Sequence, residues 1–477
     1  MPSNVFKERR RPRSLGVLFI SRLAAVLCLC AGLPAAAQDV ALVSGDSASG
    51  SDIASAPGAA PPPSKMLVGP TLPVETRRSS VLELNWRQNP AEVPSALIDA
   101  LEIIGLNYPS VQGAKAGLSA AASDIRGAKW QRFPSLSVET NVVDSSNRVR
   151  PAVAVSAPVW SGGRIGATIK RANAQFDASV ARYREVVLGL SLDATQTYFE
   201  IARGARRQAL LEESLVEHGK LVASMERRVA QEVSPLADLE LARSRYSQIE
   251  QDLTVARAQH QAALFAFAEL VGDPNYQLGD VPEYPKAIEL PARETLMTDA
   301  LAYDPSLRRI SAEVAAGQAE VAAAKAAIFP QLNAQYSYND VVGSQVGLVA
   351  RLETSGGLSR FTAVDGARAR LDNLAAQAGL AERQIRQRIN SDLTEFDSSQ
   401  ARAQVSLNAS QISNRVSESY MRQFIAGRRS WLDVMNALRE TLSARLGLAD
   451  AEISSMSSFV RLSLRTGRWS PFSDNLK

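Results

Sequence analysis

The sequence predicts a mainly α-helical chain with a small β part, arranged as two tandem repeats of long coiled-coil helices with one β-hairpin each. Three observations predict it. Two stretches of about 67 residues, one ending near Gln231 and one near Ile425, keep a helical pattern without a proline, and each makes a rod of roughly 100 Å at 1.5 Å rise. Two pairs of short segments switch to a period of two, which is the signature of strands. The two halves also match one another. Pro109, Ser110 and Val111 correspond to Pro305, Ser306 and Leu307, and Ala128, Lys129, Phe133, Pro134 and Leu136 to Ala324, Lys325, Phe329, Pro330 and Leu332, all at one constant offset without gaps.

The chain opens with a basic segment, an apolar run from Leu15 to Leu33 and the small residues Ala35, Ala36 and Ala37, so residues 1–37 read as a signal peptide cleaved after Ala37. Its removal takes away six basic residues (Lys7, Arg9, Arg10, Arg11, Arg13, Arg22) and one acidic residue (Glu8). The formal charge of +4 thus becomes −1, which gives no support to a nucleic-acid partner. Both cysteines, Cys28 and Cys30, leave with it, so disulfides, a thiolate nucleophile and zinc–cysteine sites are excluded from the mature chain. Each cysteine follows a leucine, where an acylated exported protein carries a small residue. No later apolar run reaches eighteen residues, so no transmembrane helix is expected after the signal peptide; strands of about ten residues escape that search.

Residues 38–90, rich in Ala, Ser, Gly and Pro, read as a linker that buries too little to order itself. The first repeat, 91–290, begins with a helix from about Pro94 to Gln131, interrupted near Asn107 to Ser110. Leu136, Val138, Thr140 and Val142 then alternate with Ser135, Ser137, Glu139 and Asn141. After a polar turn at 144–147, Val149, Val153, Val155 and Val159 alternate with Arg150, Ala152, Ala154 and Ser156. Past a Gly162–Gly163 hinge, the first rod carries Val180, Val187, Ala194, Ile201, Gln208, Leu215, Val222 and Val229 at a strict spacing of seven, a coiled-coil seam. A turn at Gln231 to Pro235 follows, Pro235 suiting the first turn of the return helix Leu236 to Val271.

The second repeat, 291–467, starts with a helix from Glu294 to Ile328, broken at Tyr303 to Ser306. In its hairpin Leu332, Ala334, Tyr336 and Tyr338 oppose Gln331, Asn333, Gln335, Ser337 and Asn339, and Val346, Leu348, Ala350 and Leu352 alternate with polar neighbours. The second rod turns at Gly427 into a last helix from Trp431 to about Leu464, with Asp433 and Ala437 placed as Asp238 and Ala242 are after the first turn. Residues 468–477 form a C-terminal tail.

Strands with aliphatics and tyrosine on one face and amide, hydroxyl or charged groups on the other describe a barrel with lipid outside and water inside. Leu136, Val138, Leu332, Tyr336, Tyr338, Val346 and Leu348 are the predicted lipid-facing residues. Four strands cannot close a barrel; two chains would supply eight and little lumen, three chains twelve and a water-filled pore.

On these residues the chain resembles the TolC-like outer membrane channel family, from about Ser95 to Gly467. The resemblance is carried by the paired Phe133–Leu136 and Phe329–Leu332 strand starts, by Pro158 to Gly163, and by the Gly427 to Ala437 turn. It implies a homotrimer with a 12-stranded transmembrane β-barrel in the cell outer membrane, continued by a periplasmic α-helical barrel. It also implies docking to a periplasmic adaptor (membrane fusion) protein and an inner-membrane transporter, here expected to be of the ABC type. Family members shut the inner end of the tunnel with ion pairs and a ring of aspartates. By motif, Asp433 matches the first ring aspartate, Asn436 stands where the second would be, Arg429 matches the gate arginine and Asp238 is the corresponding acid of the first repeat. Adaptor contacts are expected at the two tips, Val233 and Ser234 on one, Gly427, Arg428 and Ser430 on the other, with Glu232 where the first turn often has glycine.

The function implied is the exit duct of a tripartite export system, with type I protein secretion favoured by the Gly-Arg-Arg-Ser-Trp-Leu-Asp-Val turn. Small-molecule (drug or metal) efflux is the alternative, and a soluble periplasmic coiled-coil adaptor is an alternative of another class. An enzyme is not expected, nor a cofactor or a metal: the sequence has no phosphate-binding glycine loop and no nucleophile with a base. The only histidines, His218 and His260, lie in helical patterns as solvated or seam residues.

Overall fold

The computed structural model describes residues 93–469 apart from 144–147, 277, 279–287, 340–342 and 353–358. All of these belong to one compact unit, Thr76–Lys477. The expected signal peptide, the linker and all but the first two residues of the tail lie outside the described residues.

The elements run α1 (Ser95–Asn107), α2 (Pro109–Trp130), β1 (Ser135–Val143), β2 (Arg148–Trp160), α3 (Arg164–Ala230) and α4 (Leu236–Val271), then α5 (Arg293–Tyr303), α6 (Pro305–Ala326), β3 (Gln331–Asn339), β4 (Gly343–Arg351), α7 (Ser359–Ile425) and α8 (Trp431–Arg465). The duplication is written in the lengths. Rods α3 and α7 each have 67 residues, α2 and α6 each have 22, and α4 and α8 have 36 and 35. Both breaks come from proline. Tyr108 is extended because it precedes Pro109, which opens α2. Asp304 plays the same part before Pro305 and also caps α6, its Oδ1 accepting the Ser306 and Leu307 N–H groups at 2.8 and 3.2 Å.

The four strands form one antiparallel sheet in the order β1-β2-β3-β4. Leu136 stands opposite Val155, Val155 opposite Tyr336, and Tyr336 opposite Val346, so one apolar row crosses all four strands. Val138, Tyr338, Leu332 and Leu348 lie on the same face, while Ser137, Gln335 and Ser337 lie on the other. One expectation is corrected. The ladder between β2 and β3 shifts between Pro158 and Trp160, so Trp160, not Val159, continues the apolar face opposite Leu332. Pro158 has no N–H to give the ladder, and a bulge beside it is the usual consequence.

All eight seam positions of α3 are buried or half-buried. The main core sits at mid-rod, where Leu97 of α1, Tyr198 of α3, Phe267 of α4, Leu296 of α5, Phe396 of α7 and Val460 of α8 meet. At that level Asp392 of α7 is buried between Arg461 and Arg465 of α8, whose Nε atoms stand 3.2 Å from its two oxygens. This fastens rod to return helix, and removing the carboxylate would strand two partly buried cations.

Both histidines are seam residues. His218 is buried, its Nδ1–H donating to the Ser214 carbonyl at 2.8 Å. His260 lies against Gly204, where α3 and α4 approach so closely that a Cβ on the glycine would stand 3.0 Å from the His260 Cβ. Burial pushes both imidazoles below the usual 6.5. The unfolded chain therefore takes up these protons first as pH falls. The stability that the neutral rings contribute is present above pH 6.5 and is lost on acidification below it. Urea midpoints followed by circular dichroism should accordingly fall between pH 7.5 and 5.5, and His218→Gln should flatten that fall.

Candidate functional site

The two rods end in turns of identical construction. At the first, the Glu232 N–H donates to the Val229 carbonyl and the Val233 N–H to the Arg228 carbonyl, both at 2.9 Å. At the second, the Gly427 N–H donates to Phe424 at 2.9 Å and the Arg428 N–H to Gln423 at 2.8 Å. This pair of bonds satisfies the last carbonyls of each rod and requires a left-handed residue just past the helix. Gly427 meets the requirement with φ +71°; Glu232 meets it with φ +59°, and among the described residues it is the one non-glycine with positive φ. The return helices start from Pro235 and Ser430, both extended. Pro235 thus stands at the cap rather than inside the first turn, while the Ser430 Oγ accepts the Leu432 N–H at 3.1 Å.

Below the turns lies a separate apolar cluster shared by both hairpins. Leu221 and Met225 of α3 and Leu239 of α4 pack with Phe424 of α7 and with Trp431 and Val434 of α8. The Arg228 guanidinium covers the Phe424 ring at 5.2 Å and donates through Nε to the Ser234 Oγ at 3.2 Å. One arginine thereby ties the first tip to the second. Higher up, Arg445 of α8 repeats the link, pairing with Glu213 of α3 at 2.8 Å and donating to the Asn414 Oδ1 of α7 at 2.6 Å. Nearby Glu217 is raised above the usual carboxyl range by burial.

The residues assigned to the gate divide. Arg429 and Asp433 meet, Nε to Oδ2 at 3.4 Å, with side chains 36% and 45% exposed. An exposed pair of that length contributes under about 1 kcal/mol. Arg429 also lies over Tyr420 of α7, whose ring centroid is 4.0 Å from its Cζ. Asn436 follows on the same side of α8, exposed to a groove of about 440 Å³ between α7 and α8 that Arg429, Asp433 and Tyr420 also line. Asp238 is not brought to this group. Among the described residues its side chain has no hydrogen bond or ion pair, and it serves the first turn of α4 only through its backbone N–H to Pro235. Val233, Gly427, Arg428 and Ser430 are exposed at the tips, and Ser234 is half-buried on Arg228.

Two groove residues, Tyr420 and Glu440, were not anticipated. Glu440 was findable, because it falls seven residues after Asp433, on the same helical face. Tyr420 was not, since its partner lies beyond the turn.

The comparisons with known proteins agree with the two-repeat fold. A family profile described as "Outer membrane efflux protein" matches residues 101–273 and 296–468, one block per repeat and together well over half of the chain. The solvent efflux pump outer membrane protein SrpC of Pseudomonas putida is 25% identical over 211 residues, covering 41% of this chain. The chain spans about 40% of the length of that relative. Two crystal structures share the fold at low identity. A membrane protein from Pseudomonas aeruginosa aligns with TM-score 0.69 at 18% identity over 78% of this chain and 90% of its own. VceC of Vibrio cholerae aligns with TM-score 0.68 at 20% identity over 78% and 96%.

The unlike residues at the like turns give a direct test. Relief of left-handed strain, ~1–2 kcal/mol, outweighs the added freedom of a glycine in the unfolded chain, ~0.4–1 kcal/mol. Glu232→Gly should therefore stabilise the chain by about 0.5–1 kcal/mol, and Gly427→Glu should destabilise it by a similar amount, both read from urea unfolding curves.

Proposed function

The chain belongs to the outer membrane efflux protein family, and from that premise we propose that it is the exit duct of a tripartite export system. It is an outer membrane protein with a helical extension into the periplasm. In the proposed assembly three copies close one twelve-stranded barrel, and their rods form a tunnel that takes cargo from an inner-membrane transporter through a periplasmic adaptor. The observation that carries this reading is the sheet, whose apolar row is continuous over four strands while β1 and β4 each keep one edge unpaired by the described residues. The chain is then a conduit rather than a catalyst.

Two cargo classes are supported by different observations. The Gly427 to Val434 turn supports a secreted protein, handed over by an ABC transporter. Likeness to a solvent efflux pump component supports small apolar molecules, and it carries more weight because it extends over 211 residues instead of one turn. Deleting the gene should make cells more sensitive to an organic solvent such as toluene. Loss of a secreted protein with unchanged solvent tolerance would favour the first class instead.

The closed end of the duct is assigned to Arg429, Tyr420 and Asp433. Arg429→Ala frees the last turn of α7 from the first turn of α8 and should increase single-channel conductance in planar bilayers; an unchanged conductance would overturn the assignment. With Asn436 in place of a second acid, the ring around the pore has one carboxylate per chain at this level. Asn436→Asp should tighten block by a trivalent cation about tenfold, which is ~1.4 kcal/mol, in a titration of the channel current.

A further inference from the structure

At mid-rod one buried carboxylate serves three guanidinium groups. Asp392 of α7 pairs with Arg461 and Arg465 of α8, and Arg388, one helical turn before Asp392, also acts on Arg465. Arg461 is fully engaged: its Nε donates to the Asp392 Oδ1 at 3.2 Å, and its Nη1 and Nη2 donate to the hydroxyls of Ser457 and Ser458 at 3.0 and 3.1 Å. Arg465 is not. Its Nε stands 3.2 Å from the Asp392 Oδ2, yet both atoms are buried and neither makes a hydrogen bond. No other N–H of that guanidinium donates to a described residue. Arg388 is exposed and, among the described residues, has neither a hydrogen bond nor an ion pair. Asp304 also acts on Arg465, but its Oδ1 is committed to capping α6. Burial above all, with Arg388 and Arg461, holds the Arg465 guanidinium below the usual arginine range against the pull of Asp392 and Asp304.

The first repeat shows that the fold does not need this charge. Rods α3 and α7 start and end at one constant offset, α4 and α8 start at the same offset, and the left-handed Gly272 and Gly467 that follow them keep it. At that offset Arg388 corresponds to Asp193, Asp392 to Thr197, Arg461 to Ala266 and Arg465 to Leu270, and Ser457 and Ser458 correspond to Ala262 and Ala263. Rod and return helix therefore pack at the same level without a single arginine. A guanidinium that is half-buried and short of partners is costly to keep. Its planar fork of donors suits an oxyanion, which would offset the excess positive charge.

We infer that Arg388, Arg461 and Arg465 form a mid-rod binding site for a phosphate-class oxyanion. Arg465 and Arg388 supply the free donors, and Arg461 adds charge while Asp392 and the two serines hold it in place. The site lies about 50 Å along α7 from the sheet end, counted from Ser359 at 1.5 Å per residue. With the sheet in the membrane, as proposed above, the ligand is a solute and not a lipid headgroup; only this choice of source rests on the duct reading.

The test is equilibrium dialysis of the full chain in lipid nanodiscs against radiolabelled inorganic phosphate, which should bind saturably at one site per chain. Sulfate should displace the label, whereas acetate and chloride at equal ionic strength should not. Arg388→Gln removes an exposed side chain without contacts and should weaken binding at least about tenfold, the worth of one hydrogen bond to a charged group. Arg465→Leu, which installs the residue of the first repeat, should abolish binding. Circular dichroism shows whether each variant is folded, and Arg388→Gln decides the matter if Arg465→Leu is not. Arg386→Gln, on the same helix but already paired with Glu382, should leave binding unchanged. The absence of saturable binding, equal binding by folded Arg388→Gln, or an equal loss in Arg386→Gln would each overturn the site. Vesicles containing phosphatidic acid should not displace the label. Displacement by them would leave the site standing and overturn the solute as its ligand, together with the placement of the sheet in the membrane from which that choice follows.

Discussion

Backbone polar groups cannot be left unpaired in hydrocarbon, and that constraint governs this molecule from the sheet outward. One chain offers four strands in a row, and among the described residues β1 is bonded only to β2 and β4 only to β3. In the proposed barrel both outer edges need strands from elsewhere, and the apolar row from Leu136 through Val155 and Tyr336 to Val346 would be the face turned to lipid. A slip of one residue anywhere would send this row into the lumen. The bulge at Pro158 shows the constraint operating locally: the ladder absorbs a missing donor by shifting, and Trp160 takes the apolar face that Val159 would have held.

The helices inherit their geometry from the sheet. Each hairpin feeds a rod of 67 residues, and a rod of that length has no globular core to rest on. It is held instead by clusters spaced along its length, the two largest being the mid-rod cluster around Tyr198 and Phe396 and the tip cluster around Met225 and Phe424, with smaller ones around Ile165, Tyr183 and Leu211. Between them run polar ties such as Arg445 to Glu213 and Asn414. The short helices supply the mid-rod cluster with Leu97 and Leu296, and the proline breaks before α2 and α6 let them turn toward it.

Most of this was legible in the sequence because it is periodic. The seam from Val180 to Val229, the alternation from Gln331 to Asn339 and the matched Phe-Pro starts each describe one element, and each element stands where it was read. What escaped belongs to pairs of elements. Nothing within α3 announces that Arg228 will cover Phe424, and nothing within α7 announces that Tyr420 will hold an arginine from beyond the turn. Asp238 shows the converse: its equivalence to Asp433 is real in backbone position, yet no arginine follows the first turn, where Ser234 occupies the place of Arg429. Equivalent backbone did not imply equivalent contact.

The same distinction decides what the change at Asn436 means. Glu440 lies on the groove with Asp433 and restores the number of carboxylates to two, so a count alone would find nothing missing. Spacing says otherwise. Asp433 and position 436 are about 4.5 Å apart along the helix axis, and two acids there would act together on one cation. Asp433 and Glu440 are about 10 Å apart along the axis, close to one Debye length at 0.1 M salt, and a cation held by one is largely screened from the other. In the proposed trimer the groove would thus contribute two weak rings in series in place of one strong ring, an arrangement that would guide cations along the duct more readily than it would trap them.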